Sequence, residues 1–322
     1  MANFIEHCFD QRLGYGMFRN DRYGILARTA DLIHTSLDAP EELQNAFIRA
    51  KDAESQIQTI MAATLNIPAD PLPIWTLFRG LLEGAHRFVS RELKSWDNEG
   101  VLTGSLLTKL FDGVQAWGSQ VVTATGRDPQ LHLCRTNTVL NYGEGISGGD
   151  FGLIIQHGDD SFVSFVIQVK LVRYVSADVS HYVAATDEFQ RDILNRTPGL
   201  GHYLFIRKRS RFGGGFAPVM ISAQDVVAHI QATDGGSYPA MKAGVDMAAY
   251  LSFGPSAGVN IGVQTATPDD AVSVILNGYP DLMEALDRIY VIRAGSDWDY
   301  DWDYIIRNHS EYTAGVDSTY GG

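Results

Sequence analysis

The chain has 322 residues, of which 45% are hydrophobic and 20% charged, and its formal net charge is −13 at pH 7. This composition predicts a globular protein with a sizeable core, in one large domain or two smaller ones, and excludes a disordered chain. No segment has the roughly 20 uninterrupted apolar residues of a membrane-spanning helix, and the first residues lack the basic-then-apolar order of a secretion signal. We therefore expect a cytoplasmic protein without a membrane partner.

Helical spacing of apolar residues dominates the first part of the chain. Apolar residues recur at steps of three and four, as at Leu43, Phe47 and Ala50 and at Ile57, Ile60, Met61 and Leu65. This spacing places them on one face of a helix. Three prolines from Pro68 to Pro73 interrupt the pattern, which resumes over residues 75–93. Residues 1–97 are therefore predicted to form a helical region.

β-rich sequence follows one more predicted helix, which Asn98 or Asp97 can cap. The pattern then predicts a strand within 131–140, a hairpin of strands at 151–155 and 162–169, a helix at 181–194, strands at 203–206 and 218–221, and a helix at 223–231. This order indicates a small mixed sheet with helices packed on it.

The remaining residues, 232–322, have weaker periodicity. A helix is predicted at 279–289 and a strand at 289–292, so this region either completes the sheet or mediates assembly. Acidic and aromatic residues alternate over 297–304, which would place the aromatic rings on one face of an extended segment. A surface segment, an oligomer contact and an autoinhibitory element that mimics nucleic acid are all compatible with this run.

Asp150, Gln168 and Lys170 form the most specific constellation in the sequence. Asp150 opens one predicted strand, and Gln168 and Lys170 end its hairpin partner. Side chains alternate along a strand, so Gln168 and Lys170 share a face and Asp150 can lie beside them. Phosphodiester hydrolysis needs a hard cation with oxygen ligands and an activated water, which a lysine can orient. The pattern predicts Asp150 and Gln168 as ligands of Mg²⁺ or Mn²⁺ and all three residues as catalytic.

The segment 144–170 resembles the PD-(D/E)XK nucleases. Its acid, its Gly-Gly-Asp-Phe at a strand start and its apolar strand ending in Gln-Val-Lys are most similar to the QxK branch. That branch occurs in Mrr-like restriction enzymes and in effector nucleases of bacterial anti-phage defence systems. The resemblance covers roughly residues 98–223 and implies a core of helix, three strands, helix and strand.

The resemblance also implies an additional glutamate in the helix before the first core strand. Glu99 stands at that place and is the candidate for a further metal ligand, although an acid at a helix N-terminus is also favoured by the helix dipole alone. Glu144 is a further catalytic candidate on the same grounds, and a purely structural role is equally open for it.

Two other motifs overlap this constellation. Residues 143–148 match the dinucleotide-binding pattern GxGxxG, and residues 145–149 match the GxSxG elbow of serine hydrolases, with Ser147 as nucleophile. Both motifs require a helix to follow. Because the sequence that follows predicts a strand, we set both aside.

A basic cluster stands out from the acidic chain. It consists of Arg207, Lys208, Arg209 and Arg211. Since phosphate contacts by lysine and arginine supply much of nucleic-acid affinity, a DNA-facing surface on a protein of this net charge must be local. The cluster is either that surface or a solvated loop.

We expect an α/β fold with a restriction-endonuclease-like core, in which helices flank a mixed sheet, and a helical N-terminal region. The predicted domains are the helical region 1–97, the nuclease core 98–231, and an α/β region 232–322 for assembly or regulation. The expected function is metal-dependent endonucleolytic hydrolysis of DNA in restriction or anti-phage defence, by a homo-oligomer with a defence-system partner protein. The alternative is a non-catalytic subunit that uses a degenerate nuclease fold to bind nucleic acid or a partner.

Overall fold

The computed structural model describes residues 21–37, 39–65, 73–93, 98–128, 130–135, 151–184, 187–207, 216–257, 260–277, 288–295 and 299–316. The N-terminal part of these residues is helical, as predicted. Its helices are α1 (Ile25–Ser36), α2 (Glu41–Arg49), α3 (Ala53–Leu65) and α4 (Pro73–Arg91). The predicted helical face is confirmed at Phe47, Ile57 and Ile60, which are buried in the core.

Helix α5 (Glu99–Thr125) follows, and its start is fixed by the predicted cap. The side chain of Asn98 accepts a hydrogen bond from the backbone N–H of Val101 over 3.0 Å, which satisfies one of the free donors of the first turn. Helices α4 and α5 cross where two glycines meet. A Cβ on Gly113 would lie 2.3 Å from the backbone nitrogen of Gly84, so this closeness of approach requires glycine.

The strands of the main sheet are β1 (His132–Arg135), β2 (Phe151–His157), β3 (Phe162–Val172), β7 (Gly201–Arg207), β8 (Val219–Ser222), β10 (Val245–Asp246), β11 (Val263–Thr265) and β12 (Ile289–Ala294). They lie in the order β1-β12-β2-β3-β7-β8-β10, and β11 also pairs with β3. Strand β12 runs parallel to β2, and β7 runs parallel to β3, whereas the other neighbouring pairs are antiparallel. The sheet is therefore mixed, as predicted.

Short elements connect and cover these strands. Within the described ranges, two small ladders lie outside the main sheet: β4 (Ala177–Asp178) pairs with β9 (Ser237–Tyr238), and β5 (Tyr182–Val183) pairs with β6 (Glu188–Phe189). The later helices are α6 (Gln190–Leu194), α7 (Ala223–Thr233), α8 (Ala240–Ala243), α9 (Met247–Phe253), α10 (Pro268–Asn277) and α11 (Trp302–Val316).

Strand β3 is central, and helices cover both of its faces. On one face the Ser164 hydroxyl donates to the carbonyl of Ala271 in α10 over 2.9 Å. On the other, the Phe165 ring packs 5.3 Å from that of His202, which contacts Tyr250 of α9. Helices thus flank the mixed sheet and bury the strand that carries Gln168 and Lys170.

The structure corrects one sequence prediction. The helix expected at 181–194 is only the short α6; before it, Tyr182–Val183 and Glu188–Phe189 pair as β5 and β6, and Asp187 between them has φ 59°. In the run 297–304, α11 begins at Trp302, and Asp301 accepts a hydrogen bond from the backbone N–H of Tyr304. The helix predicted at 279–289 falls almost wholly outside the described residues.

The C-terminal region contributes directly to the main sheet. Strand β12 from this region lies between β1 and β2, with Tyr290 opposite Leu153. Residues 232–322 therefore complete the sheet, which is one of the two roles expected of them. In the described part of the chain no helix has the length and apolar character needed to cross a membrane.

Candidate functional site

Gln168 and Lys170 lie on the same face of β3, near its C-terminal end. Gln168 is buried, and its amide nitrogen donates to the carbonyl of Val169 over 3.0 Å. Lys170 is further along the strand, and 18% of its side chain is exposed. The two residues are two positions apart on one strand, so their side chains share a face, and Lys170 lies closer to solvent than Gln168.

Gln190, the first residue of α6, fixes the amide of Gln168. Its side-chain nitrogen donates to Gln168 Oε1 over 2.7 Å, and its backbone N–H donates to the carbonyl of His181 over 2.9 Å. Both glutamine side chains are buried. Buried amides that bond to each other hold one another in a single orientation, so Gln190 positions Gln168.

Glu99 reaches β3 from the first turn of α5. Its Oε1 lies 3.9 Å from Lys170 Nζ, and its Oε2 accepts a hydrogen bond from the backbone N–H of Leu171 over 3.1 Å. Among the described residues the pairing of β2 with β3 ends at Phe151 and Ile167. Beyond this pair, the Glu99 carboxylate accepts the backbone N–H of Leu171.

A cleft of about 490 Å³ opens at this end of β3. It is lined by Glu99, Lys170, Leu171, Val172, Arg173, Asp178, Ser180 and His181. Two cations and two carboxylates thus share one cavity with a histidine. Such a charge-balanced, partly exposed cleft can bind a phosphate through its lysine and arginine and a hard cation through its acids.

Asp178 belongs to β4, which returns to the cleft after a tight turn. Its carboxylate accepts hydrogen bonds from the Ser180 hydroxyl at 2.6 Å and from the Ser180 backbone N–H at 2.9 Å. These bonds, and after them the charge of Lys170, lower the pKa of Asp178 from its ordinary value. Asp178 is therefore a carboxylate near Lys170 that stays ionised at neutral pH.

The basic cluster is described only at Arg207. This side chain is buried; it donates to the hydroxyl of Tyr23 over 3.0 Å and lies 4.4 Å above the ring of Phe216. A guanidinium held between aromatic rings has a packing role, which does not favour the predicted phosphate contact for Arg207. Lys208, Arg209 and Arg211 lie outside the described residues.

Two of the predicted acids, Glu144 and Asp150, also lie outside the described residues. Within the described ranges, no group of three or more histidine, cysteine, aspartate or glutamate residues is arranged to hold a metal ion. Of the predicted site residues that are described, Glu99 and Lys170 meet in the cleft. Gln168 lies deeper, beside Gln190.

Sequence reasoning missed Asp178, His181 and Gln190. The signal that could have found Asp178 is a chain reversal directly after the Gln-Val-Lys strand, but the turn residues Tyr174 and Val175 are not typical turn formers. His181 and Gln190 were not identified because a single helix was predicted over residues 181–194. Comparisons with family models, with curated proteins and with solved structures gave no match for this chain.

Proposed function

We propose that the protein is a metal-dependent phosphodiester hydrolase whose active site is the cleft around Lys170. The observation that carries the proposal is the meeting of Lys170 and Glu99, with 3.9 Å between Nζ and Oε1, in a cleft that also contains Asp178. A lysine beside carboxylates at the end of a central strand can supply the positive charge and the oxygen ligands that metal-dependent phosphodiester hydrolysis uses.

The residues of the cleft fit a hard divalent cation. Mg²⁺ takes oxygen ligands and is usually held by one or two carboxylates, with water and substrate phosphate completing the shell. Glu99 and Asp178 offer carboxylates here, and the sequence attaches Asp150 directly to Phe151, the first residue of β2. When bound, the ion would neutralise charge on the phosphate and make a water molecule more acidic.

The chain's own groups would divide the remaining work. Lys170 would orient the attacking water and stabilise the negative charge that develops on the phosphate oxygens. Arg173, which lines the same cleft, would hold a neighbouring phosphate by charge-assisted hydrogen bonds. Gln168, whose orientation Gln190 fixes, lies below the cleft and would be the remaining candidate metal ligand.

The substrate class and the biological setting rest on the resemblance to the PD-(D/E)XK nucleases of the QxK branch. The β2–β3 hairpin, followed by α6 and by β7 parallel to β3, agrees with the core that the resemblance implies. The proposal accordingly includes DNA as the substrate and a role in restriction or anti-phage defence. It also includes a defence-system partner and a homo-oligomeric enzyme.

One observation favours the alternative of a non-catalytic binding subunit. Both ends of the Gln168 amide are hydrogen bonded within the protein, to Gln190 and to Val169. A degenerate site could retain Gln168 for packing alone. Divalent-metal binding separates the two functions, because an enzyme should bind Mn²⁺ and lose that binding in Asp150→Ala, whereas a binding subunit need not bind metal.

The test is incubation of supercoiled plasmid with purified protein in Mg²⁺, in Mn²⁺ and in EDTA. The variants are Lys170→Ala and Asp150→Ala, with Lys242→Ala as a control at an exposed lysine of α8. We expect metal-dependent nicking by the wild type and by Lys242→Ala, and none by the two site variants. Equal cleavage by all four proteins would place the activity elsewhere, and no cleavage by any would favour the binding subunit.

A further inference from the structure

Tyr174 exposes an aromatic ring to solvent and directly follows Arg173, a residue that lines the cleft. It is 84% exposed and occupies the turn between β3 and β4, which is closed by reciprocal backbone hydrogen bonds between Arg173 and Ser176 of 3.1 and 3.2 Å. Its φ is 59°, a left-handed conformation that glycine or asparagine adopts at lower cost. Residues with strained backbone conformations are frequent at binding sites, and the ring of Tyr174 is in addition exposed to solvent.

A second tyrosine marks the other end of the same chain segment. The cleft is lined by residues up to Arg173 and again from Asp178 to His181. Tyr182 directly follows His181, and 46% of its surface is exposed. The ring of Tyr182 packs edge-on against Phe189, with centroids 5.5 Å apart, and its hydroxyl donates to Asp187. These contacts hold the second ring in a fixed orientation.

The cleft, whose lining residues Arg173 and His181 directly precede these tyrosines in sequence, carries charges that suit a nucleic-acid backbone. Lys170 and Arg173 provide positive charge for phosphates, and Glu99 and Asp178 line the same cleft with carboxylates. Aromatic rings beside a phosphate-binding groove stack on bases, and every base presents a face for such stacking. In duplex DNA the bases are already stacked on each other, so an exposed ring gains this contact only from unpaired bases.

We propose that the cleft recognises single-stranded nucleic acid, with the Tyr174 ring as the platform for an unpaired base. This inference rests on the proposed hydrolase function and specifies its substrate as single strands, or unpaired segments of a duplex. The phosphate next to the stacked base then faces Lys170 and Arg173. Tyr182 offers a second, weaker platform.

The test measures binding of the full chain to fluorescein-labelled oligonucleotides by fluorescence anisotropy, in EDTA so that no metal-dependent hydrolysis takes place. The ligands are a single strand, the matched duplex and an abasic single strand of equal length. The proteins are the wild type, Tyr174→Ala, Tyr174→Phe and, as a control, Tyr304→Ala, which removes a tyrosine of α11 that is 60% exposed. Thermal unfolding confirms that each variant is folded.

We expect the wild type to bind the single strand more tightly than the duplex. Tyr174→Ala should weaken single-strand binding roughly 5- to 100-fold, whereas Tyr174→Phe and Tyr304→Ala should leave it unchanged. The abasic strand should bind equally to the wild type and to Tyr174→Ala, because it has no base to stack.

An unchanged affinity in Tyr174→Ala, an equal loss with the abasic strand, or no binding of any oligonucleotide by the wild type would overturn the inference. Failure of the proposed hydrolase function has a different signature. It would be seen as absent plasmid cleavage while the dependence of single-strand binding on Tyr174 persists.

Discussion

The Glu99 carboxylate and the backbone N–H of Leu171 are joined by a hydrogen bond of 3.1 Å across 72 positions of sequence. The bond lies beyond the last described pairing of β2 with β3, and the second oxygen of the same carboxylate faces Lys170. Glu99 therefore has a structural role at a strand edge and an electrostatic role in the cleft. The two roles can be separated by substitution.

Glu99→Gln should separate them because the amide oxygen still accepts from Leu171 while the negative charge is lost. We expect its free energy of unfolding to stay close to the wild-type value, and its metal-dependent cleavage to fall at least about tenfold. Glu99→Ala removes both roles and should also lose about 0.5–1.5 kcal/mol of stability. Urea unfolding and plasmid cleavage measure the two effects. Full activity in Glu99→Gln would assign Glu99 to the strand edge alone.

The buried pair of Gln168 and Gln190 predicts a non-additive response. Gln168→Leu or Gln190→Leu alone leaves a buried amide without its partner, which should destabilise the protein by about 1–3 kcal/mol. The double variant replaces both amides with apolar groups, so its loss should be clearly smaller than the sum of the two single losses. A double-mutant cycle from urea unfolding measures this coupling. Simple additivity would show that the two amides do not depend on each other.

The crossing of α4 and α5 predicts opposite effects for two glycines of the same helix. Gly113→Ala places a methyl group 2.3 Å from the Gly84 nitrogen and should destabilise the protein by more than about 2 kcal/mol. Gly104→Ala meets nothing within 4 Å and should stabilise α5 by up to about 1 kcal/mol. Thermal unfolding of both variants provides a matched comparison. Equal effects of the two substitutions would contradict the close crossing.

Asp246 predicts a pH-dependent stability. Burial raises the pKa of Asp246 to about 7, and Oδ2 has no hydrogen-bond partner among the described residues. Because the folded-state pKa is higher than the unfolded value of about 3.9, the native state favours the neutral acid. The stability that the neutral Asp246 contributes is fully present below about pH 3.9, the unfolded-state pKa. It is lost as the pH rises through about 7, the folded-state pKa. Wild-type stability should therefore decline over this range relative to a variant without the carboxyl group.

Asp246→Asn is that variant, since asparagine still accepts the hydrogen bond of the cap from Ala249. Its gain over the wild type should reach the order of 3 kcal/mol at about pH 8 and should shrink towards about pH 5. Urea unfolding across this range measures the difference. Asp301→Asn is the matched control, because Asp301 also caps a helix but is exposed. The same pH-dependent gain in both variants would refute the role of burial.

Strong local patterns made the centre of the fold predictable. The strands at 151–155, 162–169 and 203–206 were found because nearly every residue in them is apolar, which is typical of strands buried on both faces. Asn98 was predicted as a helix cap because asparagine before an apolar helical pattern is typical of a helix N-terminus. The shared face of Gln168 and Lys170 follows from the period of a strand alone.

The errors arose where tertiary contacts overrode local spacing. Tyr182–Val183 and Glu188–Phe189 pair as a hairpin in which the Tyr182 ring packs across the strands on that of Phe189. The sequence between these strands has no glycine or proline to indicate a turn. In the acidic–aromatic run, Asp301 is a helix cap and Trp302 packs on Phe162. An alternating pattern cannot distinguish a cap from a solvent-facing acid of a strand.

Strand partners distant in sequence were also beyond prediction. Strand β12 was expected as a strand, but its place between β1 and β2 depends on parallel pairing across more than a hundred residues. Asp178 reaches the cleft through a turn that has no glycine or proline. The cleft therefore combines residues that only the folded chain brings together.

The position of β12 also determines when the protein can fold during synthesis. Among the described strands, β1 pairs only with β12, and β12 separates it from β2. A ribosome must therefore complete residue 294 before the two earlier strands are joined, and until then β2 presents an open edge. A product truncated before β12 therefore lacks the strand that joins β1 to the rest of the sheet and leaves the edge of β2 unpaired among the described strands.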